Sequence, residues 1–407
     1  MQRNKLAVCF LGLVSLSEVC AAADPGAARI ASARKTVQTD PTAPQAYIDL
    51  ASALCRQARD SEHPADYREA TAALDRALEL SPGNYEALKL RIVVLLGRHD
   101  FPEALKQATA LNRKVRDDIA VWGYLVDANM AIGEYGEAEK DAQWILDLRR
   151  GSTLGFVKAA GLREMFGDLE GAGEFYDEAL IRTSPNDVED RAWLMTRNAR
   201  LQLASGNAKR AGELLEKAVA LNPDSQFVRG TLAGFKASQG DYAGAVALLR
   251  QRFEKAPSAA NLYQLAGMLE KAGLTAEAET AFQKFEAKAR AEMPDTFNAN
   301  RELVLYYADR RKSPAEAVAI AAKEAETRHD SETLDAYAWA LFRSGKLAEA
   351  KMQMDRALSP GVREGSYFCH ALQIAAAVQD PAAVKQFAKE LSAMPAAVCP
   401  VAAEAVK

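Results

Sequence analysis

Apolar residues recur along most of the chain in short helical patterns that come in pairs. Residues 192–225 illustrate the pattern, because apolar positions spaced three and four residues apart predict two amphipathic helices. Gly206 and Asn207 separate these two helices, and Pro223 ends the second one. Each helix is too short to be stable with its apolar face exposed, so the pair needs neighbours.

A related pattern returns about every 34 residues on both sides of this stretch. The residue types at equivalent positions allow successive pairs to be aligned. Ten repeats are predicted, at residues 44–84, 85–118, 119–152, 153–187, 192–225, 226–258, 259–297, 298–330, 331–363 and 364–397. Such an array predicts an all-α solenoid, which stacks repeats in one dimension instead of folding around a single core.

One position in each repeat is an alanine in the first turn of the second helix. These residues are Ala70, Ala104, Ala138, Ala172, Ala211, Ala245, Ala278, Ala317, Ala350 and Ala383. Small residues also recur in the first helices, at Ala51, Ala160, Ala199, Ala233, Ala266, Ala338 and Ala371. We therefore predict that the two helices of each repeat cross closely at these alanines, where a larger side chain would push them apart.

The turn inside the repeat carries a glycine in several units, namely Gly167, Gly206, Gly240 and Gly345. Glycine there can end the first helix in a left-handed conformation. Extra residues interrupt the array in the segment RDSEHPADY, at residues 188–191 and in the segment AKARAEMPDTFN. Insertions of this kind often carry the specific contacts of repeat proteins.

The first 23 residues differ from the array, with a basic start, an apolar stretch and a run of small residues. They predict a secretory signal peptide cleaved after about Ala23, because the apolar stretch is too short to span a membrane. Acylation at Cys20 is left open. A linker and one capping helix are predicted for residues 24–43, repeats for 44–397 and a tail for 398–407. No integral membrane span is expected in the mature chain.

Three cysteines remain after removal of this segment: Cys55, Cys369 and Cys399. An odd number is unusual for an oxidising compartment. Cys369 lies early in one predicted helix, and Cys399 lies just beyond the end of its antiparallel partner. The sequence leaves two alternatives open, a disulfide between Cys369 and Cys399 or three thiols.

Composition and motifs exclude several classes of function. The net charge of -4 comes without a clustered basic region, so we expect no nucleic-acid partner. The four histidines are not spaced for a shared metal ion, and no phosphate-binding glycine loop follows a predicted strand. Cys369 and His370 are adjacent on a helix and do not face each other. We therefore predict no catalytic site, cofactor or metal.

At several positions the repeats resemble the tetratricopeptide repeat family, whose pattern runs from a Trp through a central Ala to a closing Pro. Trp122 and Leu125 match the opening of that pattern, Ala172 and Tyr176 its middle, and Pro223 its end. The resemblance covers residues 44–397. It implies a right-handed superhelical solenoid of about ten repeats, with the first helices lining an inner groove. The N-terminal segment and the alanine-rich repeats favour an exported bacterial member of the family.

In the family, certain positions of the first helices face the inner groove. The equivalent positions of this chain are aromatic and charged residues, which are types that dominate recognition. They are Trp193, Thr196, Arg200, Tyr263, Glu302, Tyr306, Asp309, Arg310, Asp335, Trp339, Phe342 and Arg343. The alternative for each aromatic residue is packing against a neighbouring helix.

The sequence therefore predicts a non-catalytic scaffold of the bacterial cell envelope, periplasmic or secreted. We expect it to bind a protein or peptide partner through the concave groove. The alternative interpretation is a polysaccharide-binding or polysaccharide-export accessory protein. An enzyme would need a catalytic constellation that the sequence does not contain.

Overall fold

The structure is a computed structural model that describes residues 25–295, 298–394 and 399. Every regular element in the described part is helical. The α-helices are α1 Pro25–Thr39, α2 Pro44–Ser61, α3 Pro64–Leu80, α4 Tyr85–Gly97, α5 Phe101–Asn112, α6 Ile119–Ile132, α7 Tyr135–Leu148, α8 Thr153–Met165, α9 Leu169–Arg182, α10 Val188–Ala204, α11 Ala208–Leu221, α12 Gln226–Ser238, α13 Tyr242–Lys255, α14 Ala259–Lys271, α15 Thr275–Glu292, α16 Asn300–Leu305, α17 Pro314–Glu324, α18 Ser331–Arg343, α19 Leu347–Leu358, α20 Gly365–Ala377 and α21 Pro381–Ser392. A π-helical turn, Tyr306–Arg310, extends α16.

The helices after α1 form ten antiparallel pairs, from α2 with α3 to α20 with α21, which we number repeats 1 to 10. Each pair packs on the next along the chain. The predicted all-α solenoid of about ten helix-turn-helix repeats is confirmed. Helix α1 adds its buried Ile30 to the apolar cluster of α2 and α3, and so covers the start of the array.

Short polar side chains begin many of the helices. Ser152, Ser225, Ser258 and Asp330 each accept a hydrogen bond from a backbone N–H in the first turn of the helix that follows. These bonds satisfy amide groups that have no partner within the helix. The apolar faces of the two helices in each repeat then bury each other and the face of the next repeat.

The alanine position of the second helix is confirmed in nine repeats and wrong in the tenth. Ala70, Ala104, Ala138, Ala172, Ala211, Ala245, Ala278, Ala317 and Ala350 have no exposed surface at all. In repeat 10 the left-handed turn residue is Gln379, and the equivalent position five residues later is Val384. Ala383 is only half-buried there. Val384 is partly buried there, against the apolar cluster that contains Cys369 and Leu391.

The superhelix winds tightly enough for its successive turns to touch. The turn of repeat 1 meets the start of repeat 7, because Glu62 accepts hydrogen bonds from Ser258 and Asn261. Repeat 3 meets repeat 9, where the Ser331 amide donates to Tyr135 Oη over 2.9 Å.

Repeat 4 meets repeat 10 in the same way, since the Arg363 amide donates to the Met165 carbonyl over 2.9 Å. The offset is six repeats in all three cases. The intra-repeat turns of the first four repeats therefore form an interface with the first-helix starts of the last four.

The first helix of repeat 8 departs from the others. Its π-helical turn bonds the Arg311 amide to the Tyr306 carbonyl, five residues back, where an α-helix would reach four residues back. Just before it, α15 runs on to Glu292 and is longer than the second helices of most repeats. The predicted insertion AKARAEMPDTFN and this irregular helix thus lie next to each other.

The C-terminal part of the chain is held by a disulfide. Cys369 in α20 is bonded to Cys399, with Cα atoms 5.5 Å apart, which resolves the two alternatives that the sequence left open. Cys55 is a buried thiol, and burial raises its pKa to about 12. The predicted signal peptide lies outside the described residues. Within the described residues, no helix combines the length and hydrophobicity needed to cross a bilayer.

Candidate binding surfaces of the concave face

Four of the predicted groove residues are buried, which corrects the prediction that they face a partner. They are Thr196, Tyr306, Asp335 and Trp339. The Thr196 hydroxyl donates to the Ala192 carbonyl within its own helix. Tyr306 donates its hydroxyl to Glu286 over 3.1 Å and packs on Phe282. These two side chains therefore support the helices rather than the groove.

Asp335 and Trp339 are covered by the following repeat. The His370 ring from α20 stacks on Trp339, with ring centroids 4.1 Å apart. His370 Nδ1 lies 2.9 Å from Asp335 Oδ1. Trp339 Nε1 in turn donates to the Asp309 carboxylate over 3.0 Å. The aromatic ring that the sequence assigned to recognition is thus one layer of a stack between repeats 8, 9 and 10.

The predicted residues of repeat 5 lie beside repeat 4 and remain accessible. Arg200 is 56% exposed and donates to Glu164 over 2.7 Å. Arg197 donates to the other oxygen of the same carboxylate and lies over the partly buried Trp193 ring. One glutamate from α8 therefore positions two arginines of α10. We name this group, Glu164, Trp193, Arg197 and Arg200, the repeat 5 cluster.

A second group lies on repeats 7 to 9. Arg310 donates to Glu270 and Glu279 and sits 4.0 Å from the Phe282 ring centre. Tyr263 packs edge-on against the same Phe282 ring, and burial raises its pKa to about 12.

On the adjacent repeat, Arg343 is 36% exposed and lies over the Trp339 ring, 3.5 Å from the Asp309 carboxylate. Phe342 is partly buried against the same ring. Aromatic and charged side chains are thus brought together in repeats 7 to 9, although ion pairs already hold the arginines.

Glu302 belongs to a different place, a cavity of about 420 Å³ between the two superhelical turns. The first wall comes from repeats 1 and 2, through Glu62 and His99. The opposite wall comes from the starts of α12, α14, α16 and α18, including Phe227 and Asn300. We name this space the inter-turn cavity.

Charged side chains line much of the inter-turn cavity. Burial raises the pKa of Glu302, and the nearby Arg301 opposes that shift. The His99 ring has its pKa lowered to about 4, mainly by burial and also by Arg328, so it is neutral near pH 7. Among the described residues, no group of three or more His, Cys, Asp or Glu side chains is arranged to hold a metal ion.

Sequence reasoning missed this cavity because its walls are brought together only by the offset of six repeats. One signal was present, since Glu62 lies in the insertion RDSEHPADY that interrupts the first repeat. The insertion extends the start of α3, and the left-handed Glu62 residue before it points its carboxylate at repeats 6 and 7.

The ten stacked helix pairs, nine of which cross at a buried alanine, define an α-solenoid repeat protein. A model of the tetratricopeptide repeat family matches residues 65–128 and 202–269. The chain thus contains tetratricopeptide repeats. Members of this family are typically non-catalytic scaffolds.

Comparison with individual proteins adds one sequence relative and two similar structures. The Vi polysaccharide export protein VexE of Salmonella typhi is 29% identical over 210 residues, 49% of this chain but only 30% of VexE. A structure of the human IFIT1 dimer with m7Gppp-AAAA has a TM-score of 0.50 at 15% identity, covering 82% of this chain and 86% of that chain. Yeast Tom70 has a TM-score of 0.46 at 14% identity, covering 93% and 90%. At 15% identity, the similarity to IFIT1 shows a shared fold and nothing more.

Proposed function

We propose that the chain is a non-catalytic scaffold that binds an extended protein segment along the concave face of repeats 5 to 9. The observation that carries this proposal is the accessible arginine at each end of that face. Arg200 is held beside the Glu164 carboxylate, and Arg343 is held beside the Trp339 ring and the Asp309 carboxylate. Arginine and aromatic side chains that are already positioned lose little freedom on binding. The tetratricopeptide repeats support the same conclusion, because they are typical of protein-binding scaffolds.

The test is panning of a random linear peptide library on the full chain, followed by binding measurements on the variants. The double variant Arg200→Glu and Arg343→Glu should weaken the captured peptide at least about tenfold. The matched control is Arg76→Glu, an equally exposed arginine in α3 that pairs with Glu79. Thermal unfolding must accompany the assay, because Arg200→Glu places a second carboxylate beside Glu164. Full retention of binding by the folded double variant would reject this groove as the site.

A second candidate is an accessory role in polysaccharide binding or export, which the similarity to VexE favours. Aromatic side chains are the expected contacts for sugar rings, and Trp193 is the partly accessible one in the repeat 5 cluster. Binding on a glycan array that Trp193→Ala abolishes would favour this role. Trp339→Ala is the less informative variant, because its ring is buried under His370.

We also propose that the chain is exported to the periplasm or beyond, on the basis of residues 1–23 and the export function in the name of VexE. The intact mass of the protein purified from cells tests this directly. A mature chain that begins near residue 24 supports export, whereas an intact N-terminal segment in the soluble cytosolic fraction contradicts it.

A further inference from the structure

The inter-turn cavity combines an apolar side with an excess of carboxylates. Phe227, Ala260 and Val304 are among its apolar lining residues. Five glutamates and three arginines line the same space, and His99 is neutral near pH 7. Such a cavity favours a ligand with a positive charge at one end and an apolar chain.

Most of these glutamates already have partners in the described structure. Glu62 accepts three side-chain hydrogen bonds from repeats 6 and 7. Glu324 accepts from Asn300 Nδ2 over 2.8 Å, and Glu292 lies 2.9 Å from Lys288. These carboxylates therefore hold the walls of the cavity and have little capacity left for a ligand.

Glu302 is different, because its charge is incompletely balanced. The Arg301 guanidinium is 3.7 Å from the Glu302 carboxylate, beyond hydrogen-bond distance, and 3.0 Å from the Glu332 carboxylate. Arg301 is thus shared between two glutamates and lies closer to Glu332. A second cation beside Glu302 would complete the compensation.

Asn300 supplies an independent sign of a missing partner. This residue is 93% buried and lines the cavity. Its Nδ2 donates to Glu324, but its Oδ1 accepts no hydrogen bond within the described structure. Buried amide oxygens nearly always accept a hydrogen bond, so a donor is expected in the cavity.

We propose that the inter-turn cavity binds an alkylammonium group, with the ammonium at Glu302 and Asn300 Oδ1 and the alkyl chain against Phe227, Ala260 and Val304. An ammonium carries three donors and a full charge, which matches one carboxylate and one amide oxygen. The group could come from a free alkylamine or from a lysine of a bound peptide. This inference goes beyond the proposed function, since Glu302 alone is common to the cavity and the predicted groove.

Calorimetric titration of the full chain with pentylamine, and with pentanol as the uncharged analogue, tests the proposal. We expect pentylamine to bind and pentanol to bind at least about tenfold more weakly. A lysine peptide with blocked ends, compared with its norleucine analogue, identifies the second source of the same group. Binding of pentylamine assigns the site to free amines, and binding of the lysine peptide alone assigns it to a partner's side chain.

Two variants locate the binding in the cavity. Glu302→Gln keeps the shape and removes the charge, and should weaken the ammonium ligand at least about tenfold. Ala260→Phe fills the apolar side without changing any charge, and should abolish binding. The control is Glu216→Gln, an exposed glutamate on α11 that does not line the cavity.

The proposal is overturned if neither ammonium ligand binds, if pentanol binds as well as pentylamine, or if the folded Glu302→Gln protein binds normally. Failure of the groove proposal is distinguishable, because Arg200 and Arg343 do not line the cavity. Their double variant should retain ammonium binding whether or not the groove binds a peptide.

Discussion

The turns of repeats 3 and 6 have the same backbone shape but different surroundings. Gly133 and Gly240 occupy the same position of the repeat, with φ of 91° and 80°. A Cβ atom at Gly133 would lie 2.7 Å from the His329 carbonyl oxygen in the next superhelical turn. A Cβ atom at Gly240 would meet no atom within 4 Å.

Two separate requirements therefore act on one sequence position. The left-handed backbone favours glycine at this turn, and is tolerated at a cost by non-glycine residues in repeats 1, 2, 8 and 10, namely Glu62, His99, Lys312 and Gln379. The close approach of a second superhelical turn acts on repeat 3 and not on repeat 6. A periodic glycine in a solenoid can thus report local geometry, packing between turns, or both.

The largest expected effect is that of Gly133→Ala, which we compare with Gly240→Ala. Alanine at Gly240 should cost about 1 kcal/mol of the free energy of unfolding, because only its left-handed backbone is strained. Alanine at Gly133 should cost about 3 kcal/mol, because it also pushes against a backbone carbonyl that has little freedom to move. Urea unfolding of both variants measures this, and equal losses would mean that the two turns do not press on each other in solution.

A smaller effect is expected when the contact between repeats 1 and 7 is removed. Glu62→Ala leaves Ser258 Oγ and Gln226 Nε2 without their acceptor, and should cost about 2 kcal/mol. Asn261 Nδ2 also loses its bond to Glu62 but keeps the one to the Ala256 carbonyl. The control is Glu349→Ala, whose exposed ion pair with Lys346 is worth less than about 0.5 kcal/mol. If the Glu62 variant is as stable as the control in the same urea titration, repeat 1 does not contribute to the interface between the superhelical turns.

The smallest effect is a pH dependence at the turn of repeat 2. Burial lowers the pKa of His99 from 6.5 to about 4, so between these values the unfolded chain binds more protons than the folded chain. Stability contributed by the neutral ring is complete above pH 6.5 and falls as the pH drops towards 4. Between pH 7 and pH 5.5 the wild type should lose about 1 kcal/mol more than His99→Asn, which accepts the same left-handed backbone. If the wild type and His99→Asn lose the same free energy of unfolding over this pH range, the His99 ring is exposed to solvent and the prediction is wrong.

The repeated features of this fold are those that the sequence can predict, because each acts within one repeat. The alanine at the helix crossing is needed wherever two helices approach closely, so Ala245 and its equivalents reveal the register. Repeat 10 is the exception. Ala383 is an alanine close to the expected position. The left-handed turn at Gln379, however, places the next residue, Val384, at the crossing.

The accessibility of site residues was harder to predict, because it depends on the neighbouring repeat rather than on the repeat itself. Trp339 occupies an inward position of its repeat, but the His370 ring of repeat 10 covers it. Arg200 occupies the matching inward position of repeat 5 and remains accessible beside Glu164. The same sequence position thus gives a buried ring in one repeat and an open cation in another.

The offset of six repeats also bears on how the chain folds. A solenoid whose repeats touch only their neighbours can unravel from its ends, one repeat at a time. Here Met165 of repeat 4 is bonded to Arg363 of repeat 10, so fraying of the last repeat also breaks a contact with the middle of the chain. Terminal and central repeats share part of their stability, and the molecule should unfold with greater cooperativity than a one-dimensional array of the same length.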